Sequence, residues 1–207
     1  YRATQPGSHT WDSPDMLLIR LTRGRRIDHM SHYEQPDYST VASHPDYEIR
    51  LYQPYLVAET TVRGDFRSTG NTAFRRLARF TFGRNSEGLR MNMTIPVTHH
   101  PMKEGLHKYR FVMERAYSED SLPRPLDDAV AIVRVPAGYF AALSYRGGRN
   151  ERRYRRSEAA LLASLERDGI AVVGEPAAAV YNGPATPPLL RRNEVSVPID
   201  WSAQSTA

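Results

Sequence analysis

The chain has no cysteine. That excludes disulfides, zinc–thiolate sites, iron–sulfur clusters and a cysteine nucleophile. It leaves the compartment open, because a chain without thiols suits reducing and oxidising surroundings alike. Lysine is nearly missing as well: Lys103 and Lys108 are the only two. No apolar run approaches the ~18 residues that a membrane-spanning helix needs, and the stretch from Met16 to Leu21 is too short. There is also no nucleophile elbow, no P-loop, no G-x-G-x-x-G and no H-E-x-x-H, so the common hydrolase, nucleotide and zinc-protease signatures are all missing.

What is present is arginine. Lys+Arg number 28 against 23 Asp+Glu, for a net charge of +5 over 207 residues. A guanidinium favours planar, two-pronged contacts with carboxylate or phosphate, so an anionic ligand is expected beside an ordinary basic surface. The densest run is R-G-G-R-N-E-R-R-Y-R-R, residues 146–156. It sits on the first turns of an expected helix, where the dipole disfavours cations. No nucleic-acid module accompanies it, and a solvated face is the expectation. The hydrophobic share of 40% is that of a globular protein.

Residues 1–43 show no period and are expected to form an extended or poorly ordered arm. A start at Tyr1 leaves room for an upstream segment, so a periplasmic setting stays open beside a slightly favoured cytoplasmic one. From residue 44 to 201 the patterning is that of one domain. Residues 47–52 and 55–62 alternate as strands do, with Pro54 between them. Phe74, Leu77, Ala78 and Thr81 have helical spacing within a helix over 68–83, capped by Ser68 or Thr69 and stopped by Gly83. M-N-M-T-I-P-V, residues 91–97, follows as a strand. The pattern then recurs: strands at 129–135 and 138–145 around Pro136, a helix over 150–169 capped by Asn150, short strands at 170–173 and 177–181, and N-E-V-S-V-P-I at 193–199. Gly64 matches Gly147 and Pro96 matches Pro198. The chain therefore reads as a duplicated βαββ unit, copy one about 44–100 and copy two about 128–200, the second being longer. The fold class is α+β, and residues 101–115 read as a hairpin-like linker.

Y-E-I-R-L-Y-Q-P-Y-L-V-A-E-T, G-D-F, A-F-R-R-L-A, F-G-R-N, M-N-M-T-I-P-V-T and Y-N-G-P-A-T-P-P-L-L-R-R-N-E-V resemble, in order, the blocks of the SOUL haem-binding protein family. The resemblance covers roughly residues 44–200. It implies a distorted antiparallel β-barrel of two βαββ repeats flanked by two main helices, a fold shared with bacterial effector-binding domains. It also implies binding of haem or another tetrapyrrole, without catalysis, in a shallow groove along the first helix. Carried over by position, the groove comprises Asn71, Phe74, Arg75, Ala78 and Arg79, with Pro187 and Leu189 opposite. Arg75 and Arg79 share a helix face and suit two propionates. Some relatives carry a histidine directly after Y-E-I-R; here that place is Leu51, so axial ligation by that route is lost.

Other candidates are weaker on chemistry. His99 and His100 are adjacent in a strand and point to opposite faces, which does not suit one metal ion. His29 and His32 lie in the arm, and His44 precedes a proline. No metal site is expected. Glu59 and Glu194 are the carboxylates an enzyme in such a cleft would use, but Glu194 reads as an ion-pair partner of Arg191 or Arg192. The expectation is a soluble, monomeric, non-enzymatic tetrapyrrole binder with no nucleic-acid partner. The alternatives are an effector-binding-type module for another small hydrophobic ligand, and an enzyme acting on one.

Overall fold

The computed structural model describes residues 33–148, 150–183 and 185–201. Most of the expected arm (1–32) and the tail after Trp201 lie outside the described residues. Residues 38–43, at the arm's end, are extended and form β1 (Tyr38–Ser43), hydrogen-bonded along β2 (Glu48–Tyr52). Then come β3 (Tyr55–Arg63), α1 (Thr69–Thr81), β4 (Val97–Pro101), β5 (Leu106–Val112), β6 (Ala131–Val135), β7 (Gly138–Arg146), α2 (Glu151–Arg167), β8 (Ala171–Val172), β9 (Ala177–Val180) and β10 (Arg192–Asp200). The protein is α+β, with an antiparallel sheet that curls into a half-barrel in the order β1-β2-β7-β10-β9-β4-β5-β3-β6. Short β8 pairs with the end of β10.

The sheet is made of two equivalent units, β3-α1-β4-β5 and β7-α2-β9-β10. In each, the last strand lies between the other two, and β4 pairs with β9 where the units meet. Arg63, closing β3, stands opposite Leu106 of β5; Arg146, closing β7, stands opposite Arg192 of β10. The counterpart of β10 is therefore β5, which the sequence reading had taken as a linker. M-N-M-T-I-P-V is not the equivalent of N-E-V-S-V-P-I: only its last residue, Val97, enters a strand. Its polar groups bond out of ladder instead. Met91 N donates to Thr81 O, Ile95 N to Glu34 O, and Thr94 Oγ1 to Val112 O. β5 already occupies the place beside β3 and β4, so no strand position is left for it. The recurring phrase thus pointed to a real duplication through an inequivalent pair.

Each helix covers its own core. α1 buries Ala73, Leu77 and Phe80 on β3 and β5, against Tyr109, Phe111 and Met113. This differs from the expected phase: Phe74 and Ala78 lie off the buried stripe. The expected cap is also replaced. Ser68 makes no side-chain cap; Asp65 accepts from the Arg67 and Ser68 N–H groups instead. α2 buries Tyr154, Leu161 and Leu165 against Ile49, Ala141, Val195 and Val197, and Asn150 caps it by accepting from Arg153 N (3.3 Å). Burial of roughly 2 kcal/mol per large apolar side chain fixes both helices.

Phe66 joins the two layers by stacking on Tyr154 (5.8 Å between centroids) and meeting His99 (4.6 Å). Behind it a buried relay crosses β4, β5 and the turn before α1. His107 Nε2 lies 3.1 Å from Gly64 O, and His99 Nε2 lies 2.9 Å from His107 Nδ1. A carbonyl only accepts, so His107 Nε2 carries the proton, and its Nδ1 accepts from His99 Nε2–H. Replacing His107 with alanine is expected to cost about 2 kcal/mol in urea unfolding, because it strands the buried His99 donor and removes the partner of the Gly64 carbonyl. A loss below about 0.5 kcal/mol would show that water repairs the relay.

Candidate functional site

With Ala73, Leu77 and Phe80 turned inward, the 3.6-residue period turns Asn71, Phe74, Arg75, Ala78 and Arg79 outward. Asn71, Arg75 and Arg79 are exposed and Ala78 is half-buried. Phe74 keeps 46% of its surface in solvent, even though its ring meets Phe111 edge-on (5.3 Å). Phe82, just past the helix end, is 47% exposed. Phe74, Ala78 and Phe82 are four residues apart, so they make one apolar row about 12 Å long with a small residue at its middle. Arg75 and Arg79 edge that row. Arg75 Nε donates to Asn71 O (3.4 Å), and neither arginine meets a carboxylate among the described residues. The sequence reading missed Phe82; its spacing from Phe74 and Ala78 was the available signal.

Pro187 and Leu189 lie on the β9–β10 loop, both exposed. Val180, ending β9, pairs with Val97, which pairs with Phe111, the residue under Phe74, so the loop leaves the sheet two strands from that ring. The far end of the loop, a 3-10 turn at Pro188–Leu190, packs on β7.

The sheet face turned away from the helices is occupied by charge. Glu194 on β10 is 1% exposed and Arg50 on β2 is 2% exposed. Arg50 forks onto the carboxylate (2.8 and 3.0 Å), and Arg192 (2.6 Å), Tyr181 OH (2.7 Å) and Ser144 Oγ (2.9 Å) complete its shell. Burial alone would raise the Glu194 pKa, but the Arg50 hydrogen bonds and charge, then Arg192 and Tyr181, outweigh it and hold it at about 2. Burial, first, and the Glu194 charge push the Tyr181 phenol well above its ordinary value. Neither group is poised to exchange protons near neutral pH. The expected partner Arg192 is present; Arg191 instead donates from Nε to Thr186 O (2.7 Å). Arg50 was not foreseen. Glu59 is taken by Arg110 (2.8 Å) and Lys108 (3.6 Å). A cavity of about 40 Å³ lies on this face between Tyr52, Phe140, Tyr181 and Glu194, and one of about 520 Å³ adjoins it at Pro36, Tyr55 and Val112 and runs on past Gln53, Pro54 and Arg115.

The described histidines lie elsewhere. His99 is in the buried relay, and His44 stacks on Tyr47. His100 contacts Thr98 on the opposite side of β4 from His99, and burial, then Arg110 and Lys108, push its pKa down to about 3. No cluster of three or more metal-binding side chains forms among the described residues. Leu51 is half-buried in β2, opposite Tyr139 and Ser39.

A family model described as SOUL heme-binding protein matches residues 33–198. No curated protein matches the chain in sequence. Among solved structures, the C-terminal domain of EcmrR is similar with a TM-score of 0.60 at 13% identity, over 79% of this chain and 98% of that one. A protein from Listeria innocua described as a hydrolase is similar with a TM-score of 0.56 at 11% identity, over 77% of this chain and 94% of that one. An uncharacterized conserved protein from Listeria innocua gives 0.59 at 11%, over 77% and 94%. At such identities the likeness is one of fold.

Proposed function

This chain belongs to the SOUL heme-binding protein family, and on that premise we propose that it binds haem or a related tetrapyrrole on the outer face of α1, without turnover. The observation that carries the reading is the exposed row Phe74–Ala78–Phe82, edged by Arg75 and Arg79. A tetrapyrrole is a flat apolar ring with carboxylates on its edge. The two phenylalanines supply contact area at either end, Ala78 lets the ring approach the helix, and the two arginines meet the carboxylates. Asn71 adds a polar group at the start of the row, and Pro187 is proposed for the opposite wall, whereas Leu189 belongs to the turn that packs on β7. The side chains fit the ring and its propionates. They supply no axial ligand, since Leu51 holds the position where some relatives have histidine. Bound haem would add its iron and its Soret absorbance.

Binding rather than catalysis is supported on the other face of the sheet. Both carboxylates suited to proton transfer, Glu59 and Glu194, are held by arginine or lysine.

Hemin titration followed in the Soret band tests the reading. Saturation near one equivalent is expected. Arg75→Glu or Arg79→Glu should each weaken binding by about tenfold, since each removes a charge-assisted contact and adds a repulsion. Saturable binding untouched by either change would move the site off α1. No saturable shift would remove haem and leave an effector-binding-type module for another hydrophobic ligand.

A further inference from the structure

We propose that the corner between β7 and α2 is a docking surface for an anionic lipid bilayer. Two sequence features of the chain, separate in the sequence, meet there. One is the arginine-rich start of α2. The other is the P-P-L-L stretch of the β9–β10 loop, whose Leu189 and Leu190 are 83% and 58% exposed. The turn between β7 and α2 holds them together: Gly147 N donates to Arg191 O (3.2 Å), and Pro188 lies against Gly148. The two leucines thus sit on a turn pinned beside the helix that begins at Glu151.

The charge at this corner is largely uncompensated. Glu151 and Glu158, the acidic residues on the first turns of α2, are both engaged by Arg155 (3.9 and 3.0 Å). Arg146, Arg152, Arg153 and Arg156 are exposed, and none meets a carboxylate among the described residues. Arg153 donates to Arg146 O (2.7 Å), which keeps its charge over the turn. Arg152, Arg153 and Arg156 stand on the first turns of α2, where the helix dipole does not favour them. An external anionic surface does.

The leucines decide which surface. Phosphates of a nucleic acid would account for the arginines and leave two exposed aliphatic side chains unexplained. Single-strand binding would also require an exposed aromatic for base stacking. The run's one aromatic, Tyr154, is buried under α2. Aliphatic side chains projecting from a basic collar suit a bilayer, where arginines meet anionic headgroups and leucines enter the acyl boundary.

The test is flotation of the full chain with vesicles of phosphatidylcholine and phosphatidylserine, beside pure phosphatidylcholine. Binding should be at least about tenfold stronger to the anionic vesicles and should fall as salt is raised. The pair Arg152→Glu/Arg156→Glu should lower it by about tenfold or more. Leu190→Ser, at a residue the haem reading does not use, should lower it several-fold. Arg75→Glu and Arg79→Glu should leave it unchanged, so this surface and the tetrapyrrole face can fail separately. Equal binding to both vesicle types, or anionic binding indifferent to Leu190→Ser, would overturn the proposal. So would tighter binding of a short RNA, lost with the α2 arginines and indifferent to Leu190, which would reassign the corner to nucleic acid.

Discussion

Replacing Arg50 with alanine is expected to destabilise the protein by about 3–5 kcal/mol. The guanidinium and the Glu194 carboxylate are both almost fully withdrawn from water, so removing the cation leaves a buried anion. Arg192 is a weaker substitute because 39% of its side chain lies in solvent. Tyr181 and Ser144 offer only neutral hydrogen bonds. Arg50 also packs over the Tyr38 ring (4.7 Å), so β1 loses a contact with it. The double change Arg50→Met/Glu194→Met should recover part of the loss, because the buried anion goes with its buried cation, while Arg192 and the Tyr181 hydroxyl lose an acceptor. Urea unfolding of the three variants measures this. A loss under about 1 kcal/mol for Arg50→Ala would mean that Arg192 alone sustains the buried carboxylate.

Stability should also fall with acid in two stages. His100 has a folded pKa of about 3 against an ordinary 6.5. The unfolded chain therefore takes up that proton first, and the contribution is complete above pH 6.5 and is lost as pH falls from 6.5 toward 3. Glu194 has a folded pKa of about 2 against an ordinary 4.5. Its contribution is complete above pH 4.5 and is lost as pH falls from 4.5 toward 2. The expected curve is flat above pH 7, declines gently below 6.5 and steepens below 4.5. The His100 stage is worth about 2 kcal/mol once its partial exposure is allowed for, and the Glu194 stage about 3 kcal/mol. His100→Asn should flatten the first limb and leave the second. Urea midpoints taken between pH 3.5 and 7.5 would show it, and a level line from pH 7 to 5 would contradict the His100 assignment.

The features legible in the sequence were local ones. Asn150 announced its helix because a capping side chain acts on the next three residues, and Gly83 and Gly169 marked the helix ends through positive φ. The Gly64–Gly147 match was sound because both glycines close equivalent strands. The phase of α1 was not legible: Phe74 and Ala78 fit an apolar stripe by spacing as well as Ala73 and Leu77 do, and only the sheet beneath decides which stripe is buried. β5 was hidden because L-H-K-Y-R-F-V alternates buried and half-buried residues that include His, Lys and Arg, so its apolar signal is diluted. Arg50 and Glu194 are 144 residues apart, and no local pattern links two charges at that distance. The face proposed here for a tetrapyrrole was reached only through family resemblance. The outward row that includes Phe82 became visible once the inner face of α1 was fixed.

The leading strands of the two units are exchanged. β2 precedes β3 in the chain but pairs with β7, and β6 precedes β7 but pairs with β3. Neither unit therefore completes its own sheet; each takes the strand that flanks β3 or β7 from the other. A chain carrying just one such unit with its leading strand could make the same hydrogen bonds only by lending that strand to a second copy and borrowing one back. The single polypeptide is thus built like a strand-swapped homodimer whose two subunits have been fused.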